Sequence, residues 1–322
     1  MQKSAVIFTK VFMFCYLFKR LLLIPPLMAL LSLLTFGLLN LTPSDPAEVA
    51  IRLNDLTPTD ELITLTRQQL GLDQPFFTRY WHWLGQILQG DFGTSFINKK
   101  SVLQEILRTL PNSVYLATVA LCFILFLSVA LALLCVIKPR SWLDNGIRVG
   151  LFLLGAMPNY WLALLLIWWL ALKLDYFPVS GMHAPHAVIL PAFTLALGYI
   201  NTYTRLIRGA ILAQWQQPYV QYAKARGLPQ SAVLFRHIFR NALHSSLIAL
   251  GMSVPKLLAG TVVIENIFAW NGIGRLCIEA ILGRDYPMIQ GYMLLMSLLF
   301  LIFNWLADWL QMWLDPRLRQ SI

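Results

Sequence analysis

An all-α integral membrane protein with six transmembrane helices is the fold class this sequence predicts, and three observations predict it. Of the 322 residues, 58% are hydrophobic and only 12% are charged, with a mean hydropathy of +0.63. A soluble domain carries about a quarter charged residues. Apolar runs of about 20 residues, enough to cross a hydrocarbon core of about 30 Å, recur along the whole chain. Cations collect at alternate ends of those runs, at Lys3, Lys10, Lys19 and Arg20, at Lys138 and Arg140, at Arg205 and Arg208, and at Arg317 and Arg319; the acids there are Asp144 and Asp315. That asymmetry orients a membrane protein with both termini in the cytoplasm. It also accounts for the +10 net charge without nucleic acid as a partner.

The first span is expected over residues 21–41, with Pro25-Pro26 near its start as a kink or entry turn. Residues 1–20 imitate a signal peptide, yet no A-x-A site follows the apolar run, so the span is read as retained, with Met13 as an alternative start. Residues 42–112 form a water-exposed insertion, rich in acids from Asp45 to Glu105. Within it Thr57 caps a helix opened by Pro58 and closed at Gly71. A second helix after Pro75 places Tyr80, Leu84, Ile87 and Leu88 on one face beside Trp81 and Trp83, and lies at the headgroup level. Residues 113–314 carry the other five spans, at about 114–137, 147–172, 188–207, 247–264 and 288–314, and residues 315–322 form a cytoplasmic tail.

Between the fourth and fifth of these runs, residues 205–246 contain no Asp or Glu. Pro218 suits a first helical position, Gly227 the residue just past a helix end, and Pro229 prevents simple continuation. A short helix, a turn and a second helix follow. The first helix sets Tyr219, Tyr222 and Ala223 on one face and turns Lys224 and Arg226 elsewhere, a small-and-aromatic surface ringed by cations that suits a protein partner.

The wording of this stretch, Gln221-Tyr222-Ala223-Lys224, then Gly227, then His237-Ile238 and Arg240-Asn241-Ala242, resembles the EAA loop of permease subunits from binding-protein-dependent ABC importers. Gln221 stands where the general motif has Glu, and Ser245 where the family usually has Pro. LTRQQLGLDQP and GDFGTSF in the insertion are similar to nickel-import permeases. MPNYWLALLL, with Pro158 and Asn159, resembles the family's helix breaker beside the translocation path. The run Glu265-Asn266-Ile267-Phe268-Ala269-Trp270-Asn271-Gly272-Ile273-Gly274-Arg275 is similar to the ENIFAW segment of nickel and peptide permeases, with Asn271 in place of Pro, and packs over the periplasmic mouth of the pore. The resemblance covers about residues 15–319. It implies a type I importer permease core in a bacterial inner membrane, without a cofactor of its own. The implied partners are an ABC ATPase subunit docked on the loop, a second homologous permease, a periplasmic solute-binding protein and membrane lipid. Nickel or a metal chelate is the implied solute, with a dipeptide or oligopeptide as the alternative.

Other signals are weighed against this reading. The sequence contains no P-loop, so ATP hydrolysis falls to a separate subunit and this chain is not an enzyme. Lys256, about half way along the fifth run, is a costly intramembrane charge expected to face the path or a subunit interface. Asp308 near the inner end of the last run is expected to pair with a basic residue. His183 and His186 flank Pro185 with no acid or Cys to complete a ligand set, so no metal site is assigned. Cys15, Cys122, Cys135 and Cys277 form no framework. An intramembrane protease would need a His in mid-span, and an ion-coupled carrier would need midplane carboxylates and inverted repeats; neither pattern is found.

Overall fold

The structure, a computed structural model, describes residues 2–42, 45–54 and 56–314, so the tail beginning at Asp315 lies outside the described residues. In chain order the helices are α1 (Gln2–Asn40), α2 (Pro46–Arg52), α3 (Asp60–Gln69), α4 (Phe76–Leu88), α5 (Val102–Ile137), α6 (Trp142–Ala156) and α7 (Asn159–Leu166), which runs on as a π segment, Ile167–Lys173. A 3₁₀ turn (Pro185–Val188) leads into α8 (Ile189–Gln214). Then come α9 (Pro218–Ala225), α10 (Gln230–Ala232) with the π segment Val233–Ile238, α11 (Phe239–Gly251), α12 (Val254–Ile267), α13 (Ile273–Leu282) and α14 (Tyr286–Leu314). Among the described residues, four helices are long and apolar enough to cross a membrane unbroken; two bent pairs bring the total to as many as 6.

Both bends have local causes. Pro158 lacks an N–H and disfavours helical dihedrals at the residue before it, and Met157 is accordingly extended at φ −79, ψ 137. Helices α6 and α7 meet there at 104°. The second bend, 56° between the segments Gln230–Gly251 and Val254–Ile267, falls inside the expected fifth span of about 247–264. Pro255 belongs in a first turn, so the chain restarts at Ser253. Lys256 lies in the first turn after this bend, where it is exposed.

Helix α8 is the axis of the molecule: 67% of its apolar window is buried, against 11% for α1 and α14. It packs most closely on α5, through Ala117, Ala120 and Ala132 on one side and Ala192, Leu195, Ala196 and Ile200 on the other. Small residues let two backbones approach, the device available where lipid removes the hydrophobic drive between helices. At one end a second cluster gathers Ile207, Ile211, Val220, Ala223, Val233 and Ile238 around α9. At the opposite end Val102, Ile106, Ile273, Cys277, Met288 and Tyr292 close the bundle. Burial pushes the Cys277 thiol up to about 11, so it stays a neutral packing group at physiological pH.

The insertion departs from expectation in three places. Its last residues, 102–112, are the first turns of α5, which is 36 residues long. At 1.5 Å per residue that is about 54 Å, far more than the membrane needs. Glu105 is buried at 3% there and held by Arg108 at 2.7 Å and Lys100 at 3.6 Å. The α3 cap is Thr59, whose Oγ1 accepts from the Leu62 N–H at 3.4 Å, not Thr57, whereas Gly71 ends that helix with φ +66 as expected. The expected common face of α4 is split: Tyr80 is buried against Phe36 and Ser32 of α1, while Trp81 and Leu88 point outward.

Candidate functional site

The α9 elbow is anchored from inside and presented from outside. Val220 is fully buried and Ala223 is 5% exposed, so the apolar edge of this eight-residue helix is driven into the cluster beneath α8. The placing of Ala223 on an exposed face with the tyrosines is thus corrected: a step of one residue turns the helix by about 100°, and Ala223 falls on the inner side. Tyr222 is 66% exposed. Gln221 and Lys224 are exposed beside it; the Lys224 ammonium sits 4.7 Å from the Trp215 ring centroid, and the Arg226 guanidinium 5.8 Å from that of Tyr222. Gly227 takes φ +76, which reverses the chain at no steric cost.

The two arms of the elbow are tied. Asn241 donates through Nδ2 to the Tyr219 hydroxyl at 3.3 Å and to the His237 carbonyl at 3.1 Å, and the Tyr219 hydroxyl donates to Gln214 Oε1 at 2.7 Å. His237 lies in the π segment, Arg240 is exposed one turn on, and helix α11 continues through Ser245 to Gly251, so Ser in place of Pro leaves the exit helical.

At the other end the run from Glu265 to Arg275 folds back as a corner between α12 and α13. Its N-cap is Gly272, which has no side chain to cap with. Two distant groups substitute: Ser113 Oγ accepts from the Ile273 N–H at 2.8 Å, and Glu265 Oε2 accepts from the Gly274 N–H at 2.7 Å and the Arg275 N–H at 3.2 Å. The carboxylate is wholly buried against a helix N-terminus, where the dipole favours negative charge. Trp270 is 2% exposed, donates through Nε1 to the Asn112 carbonyl at 3.0 Å and stacks on Tyr115. Phe268 is buried and its carbonyl accepts from the Gly181 N–H at 2.8 Å. Asn266 is exposed. The glycines permit the close approach: a Cβ at Gly274 would lie 2.5 Å from the Val262 Cα.

Asn159 follows the α6–α7 break and faces α8, where a Cβ at Gly198 would meet its Oδ1 at 2.7 Å. Lys256 has no acid partner among the described residues. His186 packs on the Phe177 ring, and the described residues hold no group of three or more His, Cys, Asp or Glu placed to bind a metal.

Residues 124–320 match the family described as "Binding-protein-dependent transport system inner membrane component", and residues 13–117 match its N-terminal companion. The chain belongs to that family. It is an inner-membrane permease of an ABC importer. Among its relatives are the metal-staphylopine import system permease protein CntB of Staphylococcus aureus, 37% identical with 96% of this chain and 99% of that one covered, and the oligopeptide transport system permease protein AppB of Bacillus subtilis, 33% identical over 95% and 99%. The glutathione transport system permease protein GsiC of Salmonella choleraesuis is 31% identical over 94% and 98%.

Three structural residues of the permease escaped sequence reading. Asp144 is buried and held by Arg208 in a two-pronged ion pair. Asp285, 1% exposed, caps α14 and ties down the loop at Ser95 and Phe96. Tyr203 of α8 bonds Ser253 and the Ala249 carbonyl, pinning the α11–α12 bend. Each is a single polar residue with a partner 46 or more positions away, a distance no local pattern spans. Asp308 pairs with Arg20, as its place near the end of the last span suggested.

Proposed function

We propose that this permease forms one half of the path through which an ATP-driven importer carries nickel or a metal chelate across the bacterial inner membrane. A periplasmic binding protein hands the solute to the corner of Glu265–Arg275. A second, homologous permease completes the path along the exposed faces near Asn159 and Lys256. The elbow points into the cytoplasm and seats Tyr222, Gln221 and Lys224 in a groove on the ATPase subunit, which hydrolyses ATP. The observation that carries this reading is the exposed, tied-down α9 surface, whose anchor residues run straight into the α8 core. A load applied at Tyr222 is thereby passed to the central helix.

The coupling is tested by a single cysteine at position 222. Tyr222→Cys is expected to crosslink to the ATPase in native membranes, while Ala223→Cys, buried in this chain, reacts much more slowly. Equal reaction at both positions would contradict the assigned face. Tyr222→Asp is expected to lower solute-stimulated ATP hydrolysis about tenfold or more while the chain still inserts, as truncating an interface anchor does.

The metal-chelate reading draws on CntB, and the peptide reading draws equally on AppB. Radiolabelled nickel and dipeptide uptake in a strain lacking this chain separates them: loss of nickel uptake alone supports the first, loss of dipeptide uptake alone the second. Lys256→Met is expected to cut uptake severalfold at unchanged membrane level, since the substitution keeps volume and removes the charge. Unchanged uptake would take Lys256 off the path.

A further inference from the structure

Between α6 and α8, at the end of the bundle that carries α9, lies an open pocket of about 340 Å³ lined by Asn145, Arg148, Phe152, Thr204, Arg205 and Arg208. Arg208 is neutralised by Asp144, through Nε–Oδ1 at 2.9 Å and Nη2–Oδ2 at 2.6 Å. Arg148 and Arg205 are exposed to the pocket, and among the described residues neither has an acid partner. Two positive charges are left uncompensated in one concave site.

A second observation is independent of charge. Thr204 is 2% exposed and its hydroxyl has no hydrogen-bond partner among the described residues. A helical Thr usually donates to the carbonyl four residues back. Here that carbonyl, of Ile200, already accepts from Ser128 Oγ at 3.4 Å. An unsatisfied buried hydroxyl is costly and marks a place where a partner is missing.

The pocket is also the wide end of a polar seam. Along α8, positions 198, 201, 204, 205 and 208 fall on one face, and along α6 positions 145, 148, 152 and 155 face them. Asn159 abuts Gly198, and Asn201 abuts Gly155, where a Cβ would lie 2.9 Å from its Nδ2. Amides thus line the contact from the helix break down to the arginines.

We propose that this pocket binds an oxyanion, a carboxylate or a phosphate group, held by the guanidinium forks of Arg148 and Arg205 with Asn145 and Thr204 as hydrogen-bonding neighbours. Guanidinium geometry matches two oxygens of either group, and a charge-assisted pair is strengthened beside apolar walls. The anion has two sources: a carboxylate-bearing solute at this end of the seam, or the headgroup of a phospholipid whose chains lie along the exposed Val149 and Phe152.

The test uses the full-length permease in nanodiscs. One arm measures binding of radiolabelled citrate and of inorganic phosphate in phosphatidylcholine alone. The other uses native mass spectrometry to count phosphatidylglycerol retained from mixed discs. Arg148→Gln with Arg205→Gln is compared with Lys138→Gln and Arg140→Gln, which remove the same charge from exposed positions at the same end. The first pair should weaken one of the two ligands about tenfold or more and the control pair less than about twofold. Arg148→Lys with Arg205→Lys keeps the charge without the fork and should give an intermediate loss, which preserves the test if the Gln pair misfolds. Saturable citrate or phosphate binding assigns the site to soluble anions, and retained phosphatidylglycerol assigns it to lipid. Binding of neither, or equal weakening by both Gln pairs, would overturn the proposal.

Discussion

Replacing Asp144 by Asn is expected to destabilise the permease by about 3–5 kcal/mol, the usual consequence of stripping one partner from a buried ion pair. The carboxylate is wholly buried and is held by both prongs of Arg208 and by the Arg140 N–H at 2.9 Å, while Ser141 Oγ caps the same turn. The amide keeps the shape but leaves a guanidinium, 17% exposed, without its counter-charge. Loss of the pair should also loosen α6 from α8 where the α9 cluster begins, so coupling between ATP hydrolysis and uptake should fall with stability. Adding Arg208→Gln removes the stranded charge and should restore most of the loss, which a double-mutant cycle of thermal unfolding in detergent reads directly. A single variant within about 1 kcal/mol of the parent would show that the pair is hydrated in the membrane and carries little.

What the sequence made legible, and what it did not, divides along the reach of the interactions. Spans, the α6–α7 break at Pro158, the turn at Gly227 and the corner of Glu265–Arg275 are set by local chemistry: apolar run length, a missing N–H, a left-handed φ and a glycine pair. The α11–α12 bend was equally local, because Pro255 signals a helix start, but it was hidden inside a run apolar enough to read as one span. The buried side of Ala223 depended on knowing where the α8 core lies, and Tyr80 depended on Phe36 of α1. The caps at Gly272 could not be read at all, since Ser113 and Glu265 come from other helices and are brought together only by the fold.

That corner gives the second large effect. Gly274→Val is expected to cost roughly 2–6 kcal/mol, combining overpacking with a stranded buried carboxylate. A Cβ there meets the Val262 Cα at 2.5 Å and Glu265 Oε2 at 2.9 Å. The first contact is backbone, so no rotamer change relieves it, and α13 must move off α12. Moving α13 breaks the bond from the Gly274 N–H to Glu265, and that carboxylate then has neither water nor a helix N-terminus to hold its charge. Glu265→Gln separates the two contributions, because it keeps the volume and an accepting oxygen but gives up the charge–dipole attraction, about 0.3–1 kcal/mol and up to about 2 when partly buried. The order of loss should therefore be Gly274→Val well above Glu265→Gln, read as the fraction of permease that survives protease treatment of membranes and as residual uptake. The same order should hold for both readouts, because Trp270 and Phe268 are seated on this corner and move with it. Wild-type protease resistance in Gly274→Val would mean that the corner opens without strain, and the close approach of α12 to α13 would lose its structural role.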